Sequence, residues 1–99
     1  AGKKSGNTSG TGVAKISADL AKFPSDARTE AQACMNEAAR QIGSTGGTQV
    51  TLTRVDRAER TSSGWTLVAQ VTGTYDGKGQ NMTMDCRVNG SNVSAFEVR

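Results

Sequence analysis

Two cysteines and no histidine restrict the chemistry open to this 99-residue chain. Cys34 and Cys86 stand 52 positions apart, so there is no CxxC redox motif. Two sulfurs cannot complete a tetrahedral zinc site, and imidazole, the usual complement, is absent. What remains is one disulfide or two separate buried thiols. The periodicity described below sets Cys34 on the apolar face of a helix and Cys86 on the apolar face of a strand. A helix packed on a sheet brings such positions within bonding reach, so a Cys34–Cys86 disulfide is predicted. A structural disulfide implies an oxidising setting, periplasmic or extracellular.

Other candidate chemistry is sparse. The lack of histidine removes the commonest general base. Asp76, Asp85 and Glu97 fall on separate strand or turn positions and read as solubilising charges. The glycine-rich opening is not a phosphate loop, because that motif ends in Gly-Lys-Ser/Thr and follows a strand. The stretch Tyr75-Asp76-Gly77-Lys78-Gly79 holds one carboxylate, too few for a calcium loop. Met82 and Met84 alternate in phase with Cys86; core filling is the expected role, with a soft-metal or adaptable binding patch as the alternative. No catalytic centre, cofactor or metal site is expected.

The elements that must hold these residues follow from the periodicity. Residues 1–12 (AGKKSGNTSGTG) have the composition of a flexible leader, similar to the tether after the acylated cysteine of bacterial lipoproteins. Residues 13–99 are expected to form one domain. Val13, Ile16, Leu20 and Phe23 have the spacing of a short helix ended by Pro24. Ser25 or Asp26 is placed to cap the next helix. There Ala27, Ala31, Cys34, Ala38 and Ile42 form one stripe, Arg28, Glu30, Glu37 and Arg40 face away, and Gly43 is the natural stop.

The period then changes from 3.6 to 2. A strand is expected from Thr48 to Arg57, with a bulge or an end at Val55, where the phase breaks. Trp65 to Gly73, Met82 to Val88 and Asn92 to Val98 supply three more strands, joined at Asp76-Gly77-Lys78-Gly79 and at Asn89-Gly90. The predicted fold is therefore α+β. One or two N-terminal helices pack on a four-stranded antiparallel meander, with the disulfide joining helix to sheet. This layout is similar to small secreted architectures such as the cystatin-like fold, a likeness that carries no function.

The surface narrows the partner classes. From Val13 onward there are ten basic and nine acidic residues, and Arg54, Arg57 and Arg60 interleave with Asp56 and Glu59. Nothing forms the clustered basic face that nucleic-acid binding requires. No apolar run reaches the roughly 20 residues of a membrane span, leaving an N-terminal lipid tether as the expected route to a membrane. Asn7, Asn81, Asn89 and Asn92 match the glycosylation triplet, but a bacterial origin, in which the triplet has no meaning, is the favoured reading.

Trp65 and Tyr75 are candidate aromatic contacts, and Thr66, Gln70 and Arg87 belong to the polar outer sheet face. The last strand and the Val50 strand are candidate edges that could accept a partner strand. The expected function is a non-catalytic periplasmic or surface-tethered accessory protein that binds another envelope or extracellular protein. The alternatives are an inhibitor or immunity-type protein, plugging an enzyme with Ser62–Trp65 or Asp76–Gly79, and a small-ligand-binding or enzymatic module.

Overall fold

The computed structural model describes residues 13–99, so the predicted leader lies outside the described residues. The chain runs β1 (Lys15–Ser17), two short 3-10 turns (Leu20–Lys22 and Ser25–Ala27), α1 (Arg28–Ser44), β2 (Gln49–Thr61), β3 (Gly64–Tyr75), β4 (Lys78–Asn89) and β5 (Asn92–Val98). The strands form one sheet in the order β1-β2-β3-β4-β5. The stretch from β2 to β5 is the expected antiparallel meander, and α1 lies against it.

The sheet differs from the predicted four antiparallel strands by one strand and one direction. β1 pairs parallel to β2, with Lys15 opposite Gln49 and Ile16 opposite Val50, and α1 makes the crossover between them. This segment was predicted as a helix. Its apolar spacing suits one, but a single short turn of helix is unstable without burial. Here the backbone finds better partners: the amide of Lys15 donates to the Thr48 carbonyl (3.0 Å) and that of Ala14 to the Ala39 carbonyl (3.0 Å). Asp19 then starts a 3-10 turn by accepting from the Ala21 amide at 3.0 Å. Of the four apolar residues that suggested a helix, Phe23 is buried while Val13 and Ile16 stay exposed.

The bounds of α1 differ from those its sequence suggests. Ser25 and Asp26 form a 3-10 turn, and α1 begins at Arg28 without a side-chain cap. The helix passes through the buried Gly43 to Ser44. Gly46, at φ 99°, supplies the left-handed residue that ends it, while the Gly47 amide closes on the Ile42 carbonyl (2.8 Å). Glu30 does not simply face solvent: its Oε2 accepts from the Gly90 amide at 3.0 Å and ties the first turn of α1 to the β4–β5 turn.

The predicted stripe is the core. Ala31, Cys34, Met35, Ala38, Ala39 and Ile42 are buried against Val50, Leu52, Leu67, Ala69, Val71, Met84, Cys86 and Val88. Small side chains let the helix approach the sheet closely. Cys34 and Cys86 are bonded across that contact, with their Cα atoms 6.1 Å apart and both residues fully buried.

β2 runs four residues past its predicted end at Arg57. Register shifts fall on both sides of Val55, between Leu52 and Arg54 and between Val55 and Arg57. Each inserts one residue, Thr53 and then Asp56, and so resets which face the strand presents. Val55 and Ala58 thereby sit opposite Ala69 and Leu67 and pack on the core. The phase break in the sequence marks a continuing bulged strand.

Candidate functional site

α1 covers one face of the sheet, and β3 is central to the other. Its residues alternate, so Thr66, Val68, Gln70 and Thr72 point away from the helix while Trp65, Leu67, Ala69 and Val71 point toward it. Thr66 lies opposite Arg87 on β4, and Gln70 opposite Thr83. The five predicted contact residues therefore do not form one patch.

Three of them meet at one end of the sheet. Trp65, Thr66 and Arg87 line a shallow cleft with Thr61, Ser63, Val88 and Ser94. Trp65 is half-buried: it packs on the edge of the core, and the Arg60 guanidinium lies over its ring, 5.0 Å from the centroid. Ser94 donates from its hydroxyl to the Arg87 carbonyl at 3.2 Å and fixes β5 beside the cleft.

Gln70 shares the outer face with Thr66 and Arg87, four residues and so roughly 13 Å further along β3. Tyr75 is ten residues from Trp65, roughly 33 Å away at the opposite end. Its hydroxyl meets the Thr45 hydroxyl at 3.0 Å, where it helps close the C-terminus of α1. Tyr75 thus lies apart from the cleft.

Gln70 anchors a lateral network. Its Nε2 donates to Asp56 Oδ2 at 2.7 Å, and Arg54 Nε donates to Asp56 Oδ1 at 2.7 Å. The Thr83 hydroxyl donates to Gln70 Oε1 at 3.2 Å, and the Thr53 hydroxyl donates to the Gln70 carbonyl at 2.9 Å. The two bulges therefore aim Thr53 at the backbone carbonyl of Gln70 and Asp56 at its side-chain amide. The hydrogen bond from Gln70, and next that from Arg54, hold the Asp56 carboxyl below the usual aspartate range.

Because the folded-state value is depressed, this contribution is present above the ordinary aspartate pKa and is lost as pH falls through the lowered one. Replacing Gln70 by Ala is expected to move the Asp56 midpoint up toward its ordinary value, read by carboxylate NMR titration. An unmoved midpoint would assign the shift to Arg54 instead.

Sequence reasoning missed Asp56, Arg60 and Ser94 as parts of this surface. The run Arg54–Arg60 read as a solvated strand end because alternation alone does not reveal two bulges. The phase break at Val55 was the one available signal.

Other features bear on the alternative readings. The connections at both ends of β3 are two-residue turns, Ser62-Ser63 and Asp76-Gly77. Asp76 and Gly77 both have positive φ (52° and 77°), as a type I′ hairpin turn requires. Between α1 and the sheet the side chains are packed and buried. An open groove instead follows the solvent side of α1, lined by Leu20, Gln32, Ala33, Asn36 and Val93 among others. Among the described residues no group of three or more acidic or cysteine side chains could hold a metal ion, and Met82 and Met84 sit in the core. No helix among the described residues is long and apolar enough to cross a membrane.

No protein-family model matches this sequence, and neither a curated protein nor a solved structure matches it.

Proposed function

We propose that this is a non-catalytic, extracytoplasmic accessory protein that binds another envelope or extracellular protein through the Trp65 end of its sheet. The observation that carries this reading is the meeting of Trp65, Thr66 and Arg87 in one cleft, flanked by Arg60 and by the hydroxyls of Ser63 and Ser94. Trp and Arg are the residues most enriched where binding energy concentrates, and a polar rim is their usual surround. The uncovered outer face adds a polar surface whose Gln70 and Asp56 side chains are already held by neighbours, which reduces the ordering cost of binding. The disulfide supports an oxidising compartment, periplasmic or extracellular.

Two-residue turns offer little length to insert into an enzyme's active site, so surface contact is favoured over the plugging mode of an inhibitor. The packed helix–sheet interface gives the same preference over a ligand cavity inside the fold.

The test is site-specific photo-crosslinking in envelope extract. A crosslinker at the exposed Ser63 is expected to capture one discrete partner, and one at Gln41, exposed on α1, is not. Arg87→Glu is expected to cut the Ser63 yield by about tenfold, the effect of losing a contact of roughly 1.4 kcal/mol. Equal capture at Ser63 and Gln41, or a yield indifferent to Arg87→Glu, would reject this surface.

A further inference from the structure

We infer that Asn89 is a self-modification site, converting to aspartate or isoaspartate with loss of ammonia, and that Glu30 controls the rate. Asn89 is exposed at the end of β4 and is followed by Gly90, which turns the hairpin with φ 63°. A glycine nitrogen has no side chain to shield it, so it can attack the carboxamide carbon of the preceding asparagine.

In that step a bond forms between Gly90 N and Asn89 Cγ, and the Cγ–Nδ2 bond breaks. The amide proton of Gly90 leaves with the departing ammonia. The product is a five-membered succinimide ring. Water then adds to either ring carbonyl: opening on one side gives aspartate, and opening on the other gives isoaspartate, with one more carbon in the main chain.

The fold restrains the first step in two ways. The attacking nitrogen donates its only hydrogen to Glu30 Oε2 at 3.0 Å, across a separation of 60 residues. Asn89 is also paired with Asn92 in the β4–β5 ladder, so the end of the hairpin must open before the side chain can swing toward Gly90 N. Loss of the Glu30 contact removes the first restraint and loosens the second.

The reaction also reports back on the fold. The succinimide has no N–H, so Glu30 loses its donor and α1 loses its tie to the β4–β5 turn. Isoaspartate lengthens the main chain where β3 approaches the β4–β5 turn closely, at a position of β3 that carries no side chain. A Cβ placed on Gly64 would already lie 2.9 Å from Asn89 Cα and 3.0 Å from Asn89 Cβ. Three elements, α1, the start of β3 and the β4–β5 turn, converge on this one dipeptide.

The experiment compares oxidised wild type, Glu30→Ala and Glu30→Gln on prolonged incubation at neutral pH, with peptide mass mapping of residue 89 and far-UV circular dichroism to follow folding. Glu30→Ala is expected to convert Asn89 about tenfold faster than wild type, as loss of a hydrogen bond to a charged group implies. Glu30→Gln keeps an acceptor oxygen and should restore a rate near that of wild type. Equal rates in wild type and Glu30→Ala, or conversion of another asparagine first, would overturn the inference. Hydrogen exchange at the Gly90 amide of wild type decides the matter even if Glu30→Ala does not fold. Slowed exchange supports the restraint, and exchange at the rate of an unstructured peptide refutes it.

Discussion

Reduction of the Cys34–Cys86 bond is expected to lower the unfolding free energy by about 4 kcal/mol. The bond closes a loop across a sequence separation of 52 residues, and chain entropy alone gives a value of that size. A domain of this length has only about 5–15 kcal/mol in total, so the reduced protein should sit close to its unfolding limit. In urea the midpoint should fall by about 2–4 M, given slopes of roughly 1–2 kcal/mol per molar for a small domain. Both cysteines are fully buried where α1 meets the sheet, so reductant should act slowly on the native protein and quickly once denaturant opens it. A loss below about 1 kcal/mol would mean that the helix–sheet contact suffices without the bond. The case for an oxidising compartment would weaken with it.

Replacing Gly64 by Ala is expected to cost about 3 kcal/mol, from backbone strain and overpacking together. Gly64 opens β3 at φ 134°, a conformation side chains rarely adopt. A Cβ there would collide with the Val88 carbonyl oxygen and press on the Asn89 backbone. Those atoms belong to β4, whose position is set by its own ladder, so relief must come from displacing the β3–β4 pairing near Trp65. Thermal unfolding should show a drop of roughly 12–24 °C for a domain of this size. A change of only a few degrees would show that the turn relaxes freely, and the cleft beside it could not then be called pre-formed.

The residues that were legible in the sequence are those whose environment is set by simple periodicity. Ala31, Cys34, Ala38 and Ile42 announce a helix face, and Leu67, Ala69, Val71, Met84 and Cys86 announce one side of a meander. Together they were enough to place the disulfide. The first strand was not legible, because what makes residues 15–17 extended is a backbone partner at Gln49–Thr51, far away in sequence. Val13 and Ile16 suggested a buried helix face and are solvent-facing instead. The helix stop was misplaced for a related reason. Gly43 looks like a terminator, but it is a buried residue of the last helical turn, and Gly46 makes the turn.

The candidate cleft was half legible. Trp65 stands out by type, and Thr66 and Arg87 by alternation. Their convergence, however, depends on the register that pairs Thr66 with Arg87 and Trp65 with Val88. Tyr75 resembles them in chemistry, yet the same strand carries it to the far end. The helical position of Glu30 points to solvent, and only the β4–β5 turn folding back over α1 gives it a partner.

The doubled irregularity in β2 has a consequence for self-association. β1 shields only Gln49–Thr51, so the outer margin of β2 from Leu52 to Thr61 has no neighbouring strand among the described residues. A flat margin of that length would be a template for stacking copies into fibres. Thr53 and Asp56 twist it out of flatness, and Arg54, Arg57, Glu59 and Arg60 add charge along it. The kinks that gather polar side chains around Gln70 thus also spoil the strand as a nucleus for amyloid-like growth.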